Sequence, residues 1–251
     1  MLRHLPREFQ RLPIYVTPEA GLRYWGALGK VDPLLLRMVR ELVFPGAAVW
    51  DVGANVGLFA FSAAAVAGPS GSVLAIEPDI YLAQLLNRSA QRIALTEPRT
   101  AEVKILCAAV SSECGVRLLE IAERARASNR LQNTYGGSQT GSSRQLQPTT
   151  SVTLDSLLDS FAPPNVLKID VEAHEAEVFR GATRLLEVSR PLIWCEVDPA
   201  NAEKVSELLG QRDYRLFGAA EMPHPLITKA WWNTLAVPAE KLATCRTFSV
   251  E

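Results

Sequence analysis

Residues 48–57 read Ala48-Val-Trp-Asp-Val-Gly-Ala-Asn-Val-Gly57, a short apolar run that ends in a glycine-bearing turn. A stretch of small apolar residues, Leu58 to Ala67, follows at once and stops at Gly68-Pro69. The pattern predicts a strand, a tight loop and a helix. In an open parallel sheet, ligands sit beyond the carboxyl ends of the strands. The loop after this strand is therefore the first place to look for a binding site.

Strand-like and helix-like stretches alternate along the rest of the chain. A helix is predicted from Pro33 up to the stop at Pro45-Gly46, ahead of the first strand. Seven strands are predicted, at residues 48–52, 73–76, 103–110, 166–169, 192–195, 214–217 and 232–237. Further helices are predicted at residues 80–94, 154–161, 175–186 and 200–209. This order predicts an α/β fold in which a mostly parallel sheet carries helices on both faces.

The length of 251 residues suits one α/β domain, which we assign to residues 32–251. Residues 1–31 show no clean periodicity and are predicted to form an irregular cover over the core or the substrate mouth. Residues 122–149 are rich in Ser, Gln, Arg, Asn and Gly, which predicts a long loop. A loop of this length is either functional, for example as a substrate lid, or a plain excursion from the domain.

The composition argues against several partners and locations. Lys and Arg number 26 against 27 Asp and Glu, so no long-range field favours nucleic acid. No segment approaches the ~20 apolar residues of a membrane span, and the first residues do not resemble a signal peptide, so we expect a cytoplasmic protein. The cysteines contain no C-x-x-C pair and are expected to be buried thiols: Cys107, Cys114, Cys195 and Cys245.

The first loop lacks the glycines of a dinucleotide fingerprint. Counted from Gly53, the G-x-G-x-x-G pattern needs glycines where the chain has Asn55 and Leu58. The pattern is instead D-x-G-x-N-x-G, and it resembles motif I of Rossmann-like S-adenosylmethionine methyltransferases. Glu77 follows 20 residues after Gly57, at the end of the second strand, where a carboxylate can accept hydrogen bonds from ribose hydroxyls. The spacing predicts a site for an adenosine-containing cofactor.

Across residues 32–238 the chain resembles the FkbM family of methyltransferases. The stretches that carry the resemblance are residues 49–57 with Ile76-Glu-Pro78, residues 166–182, and residues 190–197. The family pattern in the middle stretch resembles K-I-D-V-E-G-x-E, and this chain departs from it with Ala173 at the glycine position and His174 at the variable one. The resemblance implies a Rossmann-like class I fold with seven strands, the last antiparallel. It also implies S-adenosylmethionine as methyl donor and, usually, O-methylation of a hydroxyl on a sugar or natural product.

The same resemblance assigns residues to the cofactor pocket. Asp170 would face both the cofactor and the substrate, and Ala108 and Ala109 would lie near the adenine ring. The remaining cofactor residues implied in this way are Asp51, Gly53, Asn55, Gly57, Glu77 and Pro78.

Candidate catalytic groups follow the strand at residues 166–169. Asp170 and Glu172 alternate with Val171, so both should point to one side. His174 has an ordinary pKa near neutrality and could take a proton from the acceptor, or it could simply begin the next helix. Glu196, at the end of the neighbouring strand, is a second candidate base or substrate anchor. These acids could hold magnesium, but no dedicated calcium or zinc spacing is present, and we predict no metal.

Three functions are open on the sequence alone. The first is a methyltransferase that acts on a small-molecule acceptor, and the second is a nicotinamide-dependent oxidoreductase, disfavoured by the missing glycines and by the lack of an evident Y-x-x-x-K pair. The third is a non-catalytic module that binds S-adenosylmethionine, which the departure at Ala173 and His174 keeps open. Trp231 and Trp232 are predicted to begin the last strand, where a tryptophan could floor a sugar pocket but more commonly packs in the core.

Overall fold

The computed structural model describes residues 1–123, 126–132 and 143–244. The helices are α1 (Pro33–Leu42), α2 (Leu58–Ala67), α3 (Ile80–Thr96), α4 (Leu154–Leu157), α5 (Glu175–Arg180) and α6 (Ala202–Gly210). The first strands are β1 (Leu2–His4), β2 (Pro13–Tyr15), β3 (Ala48–Val52), β4 (Ser72–Ile76), β5 (Glu102–Leu106), β6 (Ala109–Val110) and β7 (Gly115–Ala122). The others are β8 (Arg130–Leu131), β9 (Ser143–Val152), β10 (Val166–Ile169), β11 (Leu192–Cys195), β12 (Tyr214–Gly218), β13 (Leu226–Ile227) and β14 (Thr234–Pro238).

A mixed sheet forms the centre of the fold, with the strand order β13-β12-β14-β11-β10-β3-β4-β5. β3 pairs in parallel with both β4 and β10, so the chain reverses its direction of travel across the sheet at this point. β14 is antiparallel to both of its neighbours, β11 and β12. The predicted α/β fold with a mostly parallel sheet and an antiparallel last strand is confirmed. The predicted count of seven strands is wrong by one, because the two-residue strand β13 adds an eighth at the edge.

Strand residues alternate between the two faces of the sheet and so form two cores. Val49 packs among residues of α1, α2 and α3, whereas its neighbour Trp50 packs among residues of α4, α5 and α6. The ring of Trp194 contacts that of Phe59 on α2, with the ring centres 5.9 Å apart. The predicted placement of helices on both faces is therefore confirmed.

Residues 1–31 cover α2 and α3, but they are more regular than the irregular cover predicted for them. β1 and β2 form an antiparallel ladder, and short 3-10 turns follow. The side chains of Phe9 and Ile14 are fully buried in the core that contains α2. This contact explains why α2 is apolar on all sides, since one of its faces meets the sheet and another meets this segment. Each regular element of this segment is only three or four residues long, which is too short to produce a periodic pattern in the sequence.

A second sheet, with the order β6-β9-β7-β8, forms where the long loop at residues 122–149 is predicted. β7 and β9 pair as an antiparallel ribbon and β7 also pairs with β8, so the loop prediction is wrong for residues 122, 130–131 and 143–149, while residues 124–125 and 133–142 lie outside the described part of the chain. The predicted strand at residues 103–110 also divides, since β5 joins the main sheet and β6 pairs with β9. The buried face of β9 carries Gln147, Thr149 and Ser151, so its strand pattern is polar and resembles a loop.

The cysteine prediction holds in part. Cys195 is buried in β11, but Cys107 and Cys114 are exposed free thiols, so the expectation of buried thiols is wrong for these two. Cys245 lies outside the described residues. Cys107 directly follows β5, and Cys114 directly precedes β7.

The connection between β10 and α5 passes through Ala173, whose φ of 60° lies in the left-handed region. This backbone conformation costs a non-glycine residue roughly 1–2 kcal/mol. The conformation explains why glycine would suit the position, and it shows that alanine preserves the same turn.

We predict that Ala173→Gly is much less destabilising than the same change at a helical alanine. Both Ala173 and Ala83 of α3 are almost fully buried, so both substitutions remove one buried methyl group. Only Ala173→Gly relieves left-handed strain, whereas Ala83→Gly loses helix propensity, so their unfolding free energies should differ by at least about 1 kcal/mol. Urea denaturation of both variants measures the difference, and equal losses of stability would contradict the assignment of strain to Ala173.

Candidate active site

The loop between β3 and α2 is shaped by glycines in the left-handed region. Gly53 has a φ of +77°, and a Cβ atom there would lie 1.9 Å from the carbonyl oxygen of Asp170. Gly57 has a φ of +88°, and a Cβ atom there would lie 2.4 Å from the ring of Phe61. Glycine is therefore required at both positions. The close approach at Gly53 is therefore to the backbone at the end of β10.

A cavity of about 450 Å³ opens beyond the carboxyl ends of β3, β4, β10 and β11. This volume lies within the range of small-molecule sites in proteins. Most of the predicted site residues line it: Gly53, Asn55, Glu77, Pro78, Ala108, Ala109, Asp170, Glu172, His174 and Glu196. Asp51 and Gly57 do not line the cavity. Asp51 lies in β3 before the loop, and Gly57 ends the loop at the start of α2.

Lys168 is a buried cation at the base of the cavity, and it is not among the predicted site residues. Its Nζ lies 3.2 Å from Asp51 Oδ1 and 3.2 Å from Asp170 Oδ2, and it donates a 2.8 Å hydrogen bond to the carbonyl of Gly53. Burial works to lower the pKa of Lys168, but the nearby carboxylates outweigh it and raise that pKa above its usual value. Lys168 therefore stays charged. The sequence does contain a signal for this role: Lys168 is a charged residue inside an apolar strand, and a buried charge requires an oppositely charged partner.

Asp51 is fully buried in β3, directly beside Lys168 in the parallel register. Burial raises the pKa of its carboxyl, and Lys168 opposes this rise. Asp51 holds Lys168, and Lys168 in turn bonds to the carbonyl of Gly53 in the loop, so Asp51 helps to fix the loop indirectly. Asp51 does not line the cavity itself, so its assignment to the cofactor pocket stays a prediction.

Glu77 lies at the end of β4 with 5% of its surface exposed. Its Oε2 accepts a 2.8 Å hydrogen bond from the backbone N–H of Asn55, and its Oε1 accepts a 2.9 Å bond from that of Asp79. Burial raises the pKa of Glu77 to about 8, although both backbone N–H groups lower it. Each carboxylate oxygen has a second lone pair for a further donor. The side-chain oxygen of Asn55, which also lines the cavity, is buried without a hydrogen-bond partner in the described part of the chain.

The ends of β10 and β11 bring three carboxylates together. Burial and the charge of Asp170 raise the pKa of Glu172 to about 7. The same two causes raise the pKa of Glu196 to about 8, against the opposing effect of Lys168. Within the residues that the structure describes, neither glutamate side chain forms a hydrogen bond or ion pair. Each is therefore available to a ligand in the cavity and can exchange a proton near neutral pH.

His174 stands just before α5, and its Nε2 lies 3.0 Å from the hydroxyl of Ser111. Burial lowers the pKa of His174 to about 4, so the imidazole is neutral near pH 7. Its side chain does not cap α5. A neutral imidazole can accept a proton, but this lowered pKa makes His174 a weaker base than either glutamate.

Other cavity residues come from the N-terminal segment and the start of α1, from the segment predicted as a long loop, and from the turn before β14: Tyr24, Asp32, Arg126, Asn129 and Trp232. Trp231 and Trp232 are 52% and 54% exposed, so their expected core packing is wrong, and β14 begins after them at Thr234. The two tryptophans lie in a turn that is fixed by hydrogen bonds between Trp231 and the Thr234 hydroxyl. Trp232 therefore presents an aromatic side chain to the cavity.

Two further properties concern only the part of the chain that the structure describes. No group of three or more His, Cys, Asp or Glu side chains is arranged to hold a metal ion. No helix has the length and apolar character needed to cross a membrane.

Residues 51–216 match the methyltransferase FkbM domain, which covers more than half of the chain. The chain belongs to this family. The match includes the loop after β3, Glu77 and the carboxylates that follow β10 and β11.

Solved structures resemble this FkbM chain in fold. An FkbM methyltransferase from Methylobacillus flagellatus KT aligns with a TM-score of 0.51 at 15% identity, over 80% of this chain and 50% of that one. This chain therefore spans half the length of that structure. A precorrin-6y C5,15-methyltransferase from Geobacter metallireducens GS-15 aligns with a TM-score of 0.46 at 12% identity, over 82% and 87% of the two chains. Among curated proteins, no sequence matches.

We predict that Lys168→Met destabilises this FkbM chain by about 3–5 kcal/mol, because it leaves buried carboxylates without their counter-charge. Adding Asp51→Asn should recover part of the loss, since one uncompensated charge is then removed. Urea denaturation followed by tryptophan fluorescence measures both variants. A cost below about 1 kcal/mol for Lys168→Met would show that the ion pairs do not organise the loop.

Proposed function

We propose that this FkbM-family chain is an O-methyltransferase that transfers a methyl group from S-adenosylmethionine to a hydroxyl of a sugar or natural product. One observation carries the proposal. A single cavity joins the Glu77 end, which suits an adenosine-containing donor, to Glu172 and Glu196, whose pKa values suit proton removal.

The donor end of the cavity fits the cofactor that the family implies. Glu77 keeps lone pairs for ribose hydroxyls, and the buried side-chain oxygen of Asn55 lacks a protein partner. Gly53 allows the loop to lie close against the end of β10, because a side chain at position 53 would collide with the backbone of Asp170. We assign donor binding to these residues and Pro78, with Ala108 and Ala109 lining the same end.

S-adenosylmethionine, when bound, supplies a methyl group attached to a positively charged sulfur. A hydroxyl acceptor must lose its proton as it is methylated, and a base whose pKa lies near the working pH removes that proton most effectively. Glu196 and Glu172 meet this requirement. We assign the base to Glu196, because its pKa is raised further, and a hydrogen-bonding role toward the acceptor to Glu172.

Asp170 and His174 complete the acceptor end. Asp170 is held by Lys168, so it remains a fixed acceptor of hydrogen bonds beside the two glutamates. His174, neutral and bonded to Ser111, can orient the acceptor without carrying charge. Trp232 offers a flat aromatic face to a sugar ring at the mouth of the cavity.

The proposal is tested first by calorimetric titration with S-adenosylmethionine, S-adenosylhomocysteine and a nicotinamide dinucleotide. Binding of the two sulfur compounds alone supports the donor assignment, whereas binding of the dinucleotide supports an oxidoreductase. Glu77→Ala should weaken S-adenosylhomocysteine binding by more than about tenfold, since each ribose hydroxyl that loses its hydrogen-bond partner in a buried site costs about 1–3 kcal/mol.

Two controls accompany the Glu77→Ala measurement. Glu77→Gln keeps the size of the side chain and shows whether the charge matters. Glu102→Ala changes an exposed glutamate on β5 and should leave binding unchanged. Unaltered affinity in the folded Glu77→Ala protein would move the donor site elsewhere. Donor binding without turnover on any hydroxylated sugar or natural product would favour a non-catalytic module.

We predict that kcat for a hydroxylated acceptor rises with pH and levels off above about pH 8, because Glu196 must be ionised to accept the proton and burial raises its pKa. Glu196→Gln should remove this inflection and lower kcat by about a hundredfold. His174→Ala should leave the inflection in place, since the pKa of His174 is lowered to about 4. An inflection near pH 8 that persists in Glu196→Gln would assign the base to another group.

A further inference from the structure

Arg126 joins three separate parts of the chain at the donor end of the cavity. Its Nη1 donates a 2.6 Å hydrogen bond to Asp79 Oδ2, and its Nε donates a 3.0 Å bond to Glu19 Oε2. Its guanidinium carbon lies 4.7 Å from the ring centre of Tyr81. The side chain of Arg126 is 15% exposed and that of Asp79 is fully buried. A planar guanidinium is suited to this combination of hydrogen bonding and stacking, and an ammonium group is not.

Asp79 transmits this contact to Glu77. The backbone N–H of Asp79 donates to Glu77 Oε1, while Asp79 Oδ1 accepts from the N–H of Tyr81 and so caps α3. Asn129 also donates to Asp79 Oδ2, at 2.8 Å. The carboxylate of Asp79 is therefore bonded on both oxygens, and its backbone is fixed where it holds the proposed ribose-binding group.

β9 fastens the same turn from its other side. The side chain of Gln147 donates a 2.8 Å hydrogen bond to the carbonyl of Pro78 and accepts a 3.4 Å bond from the N–H of Ile80. Gln147 is 8% exposed, so both bonds are shielded from water. The turn from Glu77 to Ile80 is thus held from β9 on one side and, on the other, from the connection between β7 and β8 that carries Arg126 and Asn129.

The segment that carries Arg126 is also a wall of the cavity. Arg126, Asn129 and Leu131 line the cavity together with Glu77 and Ala109. The bond from Arg126 to Glu19 ties this wall to the N-terminal segment, which contributes Tyr24 to the same cavity.

We infer that Arg126 is a positioning residue for the donor cofactor: it holds Asp79, and through it Glu77, and keeps the segment at residues 126–131 against the donor end. This role rests on the proposed function, because it concerns the same donor. Arg126 acts through Asp79 and the wall and need not touch the reacting atoms.

The test compares Arg126→Gln and Arg126→Lys with the unaltered protein. Affinity for S-adenosylhomocysteine should fall about tenfold or more in Arg126→Gln, since a charge-assisted hydrogen-bond network is lost. Arg126→Lys should recover little of it, because lysine cannot bridge two carboxylates while stacking on Tyr81. The KM for S-adenosylmethionine should rise by a similar factor, and kcat at saturating donor should fall far less. The unfolding midpoint without ligand should also fall, because the buried carboxylate of Asp79 loses its counter-charge, so affinity is measured well below that midpoint.

Controls separate this role from other causes. Arg184→Gln removes an exposed bond to Asp159, away from the cavity lining, and should leave donor affinity unchanged. In Asp79→Asn combined with Arg126→Gln, the affinity should match that of the weaker single variant, because both changes break one pathway.

The outcomes distinguish the two proposals. Failure of the unaltered protein to bind S-adenosylhomocysteine overturns the donor assignment and the role of Arg126 with it. Tight binding by the unaltered protein and equal binding by Arg126→Gln overturns the role of Arg126 alone. A lowered unfolding midpoint with unchanged affinity below that midpoint overturns it as well, since Arg126 would then be only structural. Additive losses in the double variant would show that Arg126 does not act through Asp79.

Discussion

The structure depends on one buried cation. Lys168 is 3% exposed, and a charge so far removed from water is stable only when opposite charges and hydrogen bonds compensate it. Its partners come from β3, from the loop after β3 and from the end of β10. They meet in the register in which Lys168 stands beside Asp51. The interaction that makes the interior stable therefore also fixes the loop to which we assign donor binding.

Lys168 also affects the proposed acceptor end, because it pairs with two of the nearby carboxylates and leaves the other two without a direct cationic partner in the described part of the chain. Lys168 bonds directly to Asp51 and Asp170, whereas Glu172 and Glu196 lack a direct cationic partner among the described residues. Burial beside Asp170 then raises the pKa of both glutamates into the range where a base is effective near neutral pH. Burial lowers the pKa of His174, because the charged form of histidine is the cation, and the charge of Glu177 only partly offsets this effect.

The sequence predicts those parts of the fold in which apolar burial sets the pattern. β3, α2 and β4 are apolar runs between glycine or proline signals, and the positions of Asp51, Glu77 and Asp170 at strand ends follow from them. What could not be predicted depends on contacts between distant segments. Tyr24, Arg126 and Trp232 reach the cavity only because the N-terminal segment, the β7–β9 ribbon and the turn before β14 converge there. Periodicity within each segment contains no information about that convergence.

The β7–β9 ribbon shows most clearly why such a segment is misjudged. The ribbon and the connection between β7 and β8 contact the proposed donor end through hydrogen bonds from polar side chains that read as loop in the sequence: Gln147 and Thr149 of β9, and Arg126 and Asn129 of the connection. Hydrogen bonds contribute only about 1 kcal/mol each to stability, but an unmade one in a buried site costs more, so they specify geometry more than they drive folding. The side chains of this cavity wall can therefore be substituted without unfolding the central sheet. Differences between related methyltransferases in donor affinity and acceptor choice should therefore concentrate in this ribbon, while Lys168 and the loop after β3 remain constrained by the fold.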